Sequence, residues 1–201
     1  MIQELIQRLQ EMAKETVNSI HTAIPGKIVE FDPGTCLATV SPSMKYTKPD
    51  GSKMDYPNIM GVPVYFPQGN QQHASVAYPV KPGDGCLLIV SEQALDYWMY
   101  QMETKTELRY DLTNSIALVG LFAKAGPGVQ KACDENAVVV MAGSTILTVK
   151  PEYVEIEGDL KVKGKIRAEK EIRSDEDVFA GEISLKNHTH LSGGDSTGKP
   201  L

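Results

Sequence analysis

Hydrophobic patterning changes character along the chain, and each change predicts a different element. From residue 2 to residue 20, Ile2, Leu5, Ile6, Leu9, Met12, Ala13, Val17 and Ile20 recur at steps of three and four, the helical period. Gln3, Glu4, Gln7, Arg8, Gln10, Glu11, Lys14 and Glu15 fill the other face. A lone helix of this length is marginal in water, so its apolar stripe must pack on its own domain or on a partner chain. A membrane-surface helix is a sharper reading, but the polar face is mixed rather than rich in Lys and Arg. Pro25-Gly26 is expected to end the segment.

Residues 26 to 125 switch to short β-prone runs divided by turn signals: Asp32-Pro33-Gly34, Pro49-Asp50-Gly51, Pro67-Gln68-Gly69-Asn70 and Pro82-Gly83-Asp84-Gly85. Strands are predicted at 27–31, 35–41, 61–66, 74–78, 86–91 and 116–121. Short strands at this spacing with no long helix between them suggest a small barrel or sandwich. Five or six strands in this length fit a Greek-key barrel of the OB type. Residues 93–105, with Leu95, Tyr97, Trp98 and Met102, read as a short helix or loop over one barrel end.

The most informative stretch follows. After a β-rich part from Ala137 to Val149, every odd position from 155 to 177 is charged, Glu155 through Asp177, while the even positions are mostly apolar or small. Period two over this length means extended chain with one buried and one wet face. A second period lies on the first. Val154, Leu160, Ile166, Ile172 and Val178 recur every six residues, each followed two positions later by Ile156, Val162, Ala168, Ser174 and Ala180. Gly158 and Gly164, then Lys170 and Glu176, occupy the remaining even slot. Such a hexad is the signature of a β-helical repeat. With two inward side chains per unit, one chain builds no core and would expose unpaired strand edges. Three identical chains wound round one axis as a triangular prism repair both defects, with Val154, Ile156, Leu160, Val162, Ile166, Ala168, Ile172 and Val178 as the shared core. A long surface meander on a monomer is the simpler alternative, and it leaves the sixfold recurrence unexplained.

The end of the chain carries Asn187-His188-Thr189-His190, then a Gly/Ser/Thr-rich segment. In extended chain, residues i and i+2 face the same way. Alone, His188 and His190 are a weak metal site or a solvated pair in a frayed tail. Three chains meeting at an axis bring six imidazoles to one point, a set suited to an octahedral ion such as iron rather than to four-coordinate zinc.

Composition narrows the functions. Twenty basic against twenty-six acidic residues give a net charge of −6, and the pI near 5.3 argues against a nucleic-acid binder, which usually carries a basic stripe. No apolar run approaches the ~20 residues of a membrane-spanning helix. Glu4 and Arg8 sit where a secretory signal would be apolar. Cys36, Cys86 and Cys133 are odd in number and widely spaced, so reduced cysteines in a protein made in the cytoplasm are expected. No nucleophile elbow, metalloprotease motif or phosphate-binding glycine loop is present, so no enzymatic activity is expected. Tyr97, Trp98 and Tyr100 could stack a base or sugar, but no basic cluster surrounds them, which favours packing in a core or interface.

These residues resemble the membrane-puncturing central spike of contractile phage tails and related particles. The likeness runs in order through Val62-Pro63-Val64-Tyr65-Phe66-Pro67, Ala77 to Asp84, Leu87 to Trp98, Arg109-Tyr110-Asp111-Leu112 and Ile116 to Leu121, and is sharpest at Ser184-Leu185-Lys186-Asn187-His188-Thr189-His190. The resemblance implies an all-β body: an OB-fold collar (25–130), an intertwined trimeric β-helix (131–186) and a metal-capped apex (187–201); the short N-terminal helix (1–24) lies outside the matched motifs and rests on the helical period. It implies one iron ion per homotrimer held by His188 and His190 of each chain. It further implies a virion location at the baseplate tip, a tail-tube or hub partner, and the host outer membrane as target. The alternative is an OB-fold module on a β-helical stalk that binds polysaccharide or nucleic acid.

Overall fold

In the computed structural model, which describes residues 2–48, 50–102, 107–192 and 195–196, the first periodic segment folds as helix α1, Ile2–Ser19. Its stripe of Ile2, Leu5, Ile6, Leu9, Met12 and Val17 is exposed. The helix stops well before Pro25-Gly26, contrary to expectation. That dipeptide lies inside strand β1, Ala23–Asp32. Gly26 is needed there because a Cβ would come within 2.8 Å of Val40 Cγ1 and 3.3 Å of Cys86 Sγ, where two neighbouring strands converge.

Two compact units follow from the chain's contacts, Met1–Pro127 and Gly128–Leu201. The first holds β2 (Leu37–Pro42), β3 (Lys45–Thr47), β4 (Lys53–Asp55), β5 (Ile59–Tyr65), β6 (Gln68–Gly69), β7 (Ala74–Ser75), β8 (Gly85–Val90), helix α2 (Asp96–Tyr100) and β9 (Ser115–Val119). Five strands close into a barrel in the order β1-β2-β5-β9-β8. Every contact is antiparallel except β5 with β9, where Val64 pairs with Ala117. The long β1 serves two neighbours: Ala23 to Lys27 pair with β8, and Gly26 to Asp32 pair with β2 across a bulge between Ile28 and Glu30. A bulge bends the strand and strengthens its twist, which lets one strand turn the barrel's corner. The segment expected as a strand at 74–78 contributes only the two-residue β7, paired with β6 in a local hairpin, because Pro79 and Pro82 flank it and offer no backbone donors.

Alternation along these strands turns one face inward. Ile24, Ile28, Ala38, Val40, Ile59, Val62, Val64, Cys86, Leu88, Val90, Leu112 and Ala117 form one buried cluster. Buried Asn114 seals its edge. Its side-chain oxygen accepts the Leu95 N–H at 2.8 Å, and its amide donates to Gln93 O at 2.5 Å and Leu108 O at 3.1 Å. These three bonds hold the segment carrying α2 against β9.

The second unit has helix α3 (Pro127–Glu135), strands β10 (Val138–Ala142), β11 (Thr145–Val149) and β12 (Val154–Glu157), and the short pairs β13 (Phe179–Ala180) with β14 (Ile183–Ser184) and β15 (Leu191–Ser192) with β16 (Asp195–Ser196). β10, β11 and β12 form an antiparallel meander. Helix α3 was not foreseen. Lys131 bridges Glu135 at 2.6 Å and Glu157 at 3.0 Å, and Lys150 reaches Glu135 at 2.8 Å and Glu155 at 3.5 Å. This chain of charges joins the helix to the meander. It holds the Glu135 carboxyl below its ordinary range, first through the hydrogen bond from Lys131 and then through that from Lys150, and it holds the Lys150 ammonium more firmly protonated, mainly through its bond to Glu135.

Between β12 and β13 the hexad region has no partner strands in the single chain. Only its first turn forms a strand, β12; residues 158–178 form none within the single chain. The face expected to be shared among three chains is exposed in the single chain, with Ile166 at 69% and Ile172 at 70%, and Val154, Ile156, Leu160, Val162, Ala168 and Val178 exposed as well. A strand exists only by pairing with a neighbour, and one chain supplies none here. Among the described residues of the second unit, Thr148 alone is fully buried.

Candidate functional site

The histidine segment is built from Asp177 outward. Its carboxylate accepts three hydrogen bonds: the Val178 N–H at 2.7 Å, the Lys186 N–H at 3.1 Å, and the Ser184 hydroxyl. These donors, Ser184 first, hold the Asp177 carboxyl below its usual range. The acid thus ties the start of the β13–β14 hairpin to its end. Between them Phe179 pairs with Ser184 and Ala180 with Ile183, and Gly181 takes a left-handed φ of 65° at the turn, a conformation that favours glycine.

Ser184 is the next link. Its hydroxyl oxygen accepts the Asn187 N–H at 2.8 Å, and its carbonyl accepts the His188 N–H at 3.0 Å. The resulting turn folds His188 back so that ring Nδ1 lies 3.0 Å from Ser184 O and 3.1 Å from Leu185 O. Both partners are carbonyl oxygens, which only accept, so Nδ1 carries the proton and the Nε2 lone pair is left for a ligand. A metal-binding histidine usually donates its other ring N–H in this way, often to a backbone carbonyl. His190 stands beside it, the ring centroids 5.0 Å apart and the planes at 81°.

The chemistry of this donor set fits an ion. One chain brings two imidazoles, with no group of three or more His, Cys, Asp or Glu placed to share a metal among the described residues. Asp177, the nearest acid in the network, is already engaged by three donors. His188 and His190 are therefore the residues that would hold a metal, with further ligands coming from outside this chain. The other two histidines take no part: His21 packs edge-on to Tyr56 at 5.9 Å, and His73 closes a turn on Asn70.

The aromatic group on α2 sits outside the barrel core. Tyr97, Trp98 and Tyr100 are exposed in the single chain, Trp98 at 65%, so of the expected core or interface packing they do not take the core of their own chain. Sequence reasoning had passed over Asp177, counting it as the last member of the alternating charged run. Nothing in that run marks it. The Ser184-x-x-Asn187 spacing, which suits a hydroxyl-capped turn, was the available signal.

Residues 24–120, which span the barrel from β1 to β9, match the family model described as Phage protein Gp138 N-terminal domain. That match covers just under half of the chain and supports a phage protein with a structural, virion-associated role. No curated protein matches the chain.

Proposed function

We propose that this protein is the homotrimeric central spike of a contractile phage tail or tail-like particle, driven through the host outer membrane when the sheath contracts. The barrel is of the OB type. The single parallel contact between its third and fifth strands, in the closed order β1-β2-β5-β9-β8, supports that reading, and its role is to join the spike to the tube or hub. Residues 154–178 of three chains wind into a triangular β-helix, and His188 and His190 from each chain hold one iron ion at the point.

One observation carries the proposal. The first unit contains the whole buried apolar cluster, whereas the second has a sixfold apolar stripe that its own chain leaves exposed. Three copies bury that stripe together and pair their edges, which gives a closed prism able to resist compression and fraying. The charged outer positions keep it soluble and oppose stable partitioning into lipid. The bound ion supplies what the thin tip lacks, a fixed junction between three chain ends.

Light scattering and metal analysis on one purified sample test this together. A mass of three chains with about one iron per assembly is expected. A mass of one chain, or a trimer whose iron is unaffected by His188→Ala with His190→Ala, would overturn it.

A further inference from the structure

The network beneath the histidines has a direction. Asp177 is an acceptor only, so the Ser184 hydroxyl must point its proton at the carboxylate. This turns the oxygen lone pairs toward the Asn187 N–H. The turn so fixed aims the carbonyls of Ser184 and Leu185 at His188 Nδ1. Each step decides the next, and the last decides where the imidazole proton sits.

We propose that Asp177 is a positioning residue for the metal site: through Ser184 it holds His188 in the Nδ1-protonated tautomer and presents Nε2 to the ion. This rests on the metal-binding reading above. Asparagine at 177 keeps the size, and its oxygen can keep the Val178 and Lys186 N–H groups, but its NH2 then faces the Ser184 hydroxyl in place of the oxygen that accepted it. The hydroxyl of Ser184 then turns, the turn loosens, and the imidazole is free to place its proton on Nε2, where it blocks coordination. Alanine at 184 removes the middle link directly, while threonine keeps the hydroxyl.

Iron affinity and the histidine tautomer are the two readouts, measured on full-length wild type, Asp177→Asn, Ser184→Ala and Ser184→Thr, each with its assembled mass checked. Asp177→Asn and Ser184→Ala should lose iron to a chelator about 10- to 100-fold more readily, the usual consequence of removing an outer partner of a ligating histidine. Ser184→Thr should match wild type. Nitrogen NMR of the iron-free protein should find His188 protonated at Nδ1 in wild type and at both positions in exchange in the two damaged variants. Should Asp177→Asn fail to assemble, Ser184→Ala reads the same link. The two ways of failing are separable. Wild type without iron, or iron that persists without both histidines, overturns the metal reading itself. Iron that depends on both histidines yet is held equally well by Asp177→Asn and Ser184→Ala, or a wild-type His188 protonated at Nε2, overturns the positioning role alone.

Discussion

Cys86 and Cys133 mark the extremes that a thiol meets in this chain. Cys86 is wholly buried in the barrel, opposite Gly26, whereas Cys133 is exposed on α3. Burial pushes the Cys86 thiol up to about 11. Since the thiolate is the nucleophile, a thiol reagent at pH 8 should modify Cys133 at once and Cys86 only after unfolding. Cys36, half-buried and donating to the Val64 carbonyl at 3.4 Å, should react between them. The same burial sets a pH dependence. A thiol whose folded value lies above its ordinary value of 9.0 binds its proton more tightly folded than unfolded. Its contribution to stability is therefore complete below about 9 and is lost as pH rises through about 11. Prompt labelling of all three cysteines in native protein would contradict the closed core around Cys86.

At the scale of elements, the same apolar side chain means different things in β8 and in the hexads. Leu88 is fully buried among the barrel strands, so Leu88→Ala should cost about 2–5 kcal/mol of barrel stability. Ile166 and Ile172 are exposed in the chain, so lysine at both costs the single chain little. In the proposed trimer it puts six ammonium groups on the axis. Ile166→Lys with Ile172→Lys should leave the barrel's thermal transition in place and abolish the three-chain mass; an intact trimer would refute the hexad core. This contrast also explains what was legible beforehand. Barrel strands are bounded by local turn chemistry and closed by their own alternation, so five were foreseen within a few residues. Pro25-Gly26 misled because its role is set by the distant Val40 and Cys86, not by its neighbours. Helix α3 escaped because its anchors, Glu157 and Lys150, lie beyond the helix in sequence. The hexads were plain as a period, but a period fixes which face is apolar and not which chain covers it. His188 and His190 stood out as a pair, whereas the link from Asp177 through Ser184 exists only once the β13–β14 hairpin has formed.

For the molecule as a whole, the proposed trimer asks different things of the two units. The barrel closes on itself and buries twelve apolar residues from its own chain, so its stability is a property of one polypeptide. The second unit buries only Thr148 completely among its described residues, and in the proposed trimer the missing core comes from three chains and the ion together. Folding linked to association is governed by mass action. Calorimetry should therefore show two transitions. One, from the barrel, should be independent of protein concentration and of chelator. The other, from the hexads and the histidine end, should rise in temperature with protein concentration and fall when iron is stripped. The barrel transition should shift with Leu88→Ala and the second with Ile166→Lys and Ile172→Lys, which assigns each without cutting the chain. A single transition unmoved by concentration would mean that the exposed stripe is covered within one chain after all, and it would remove the physical reason for a trimer.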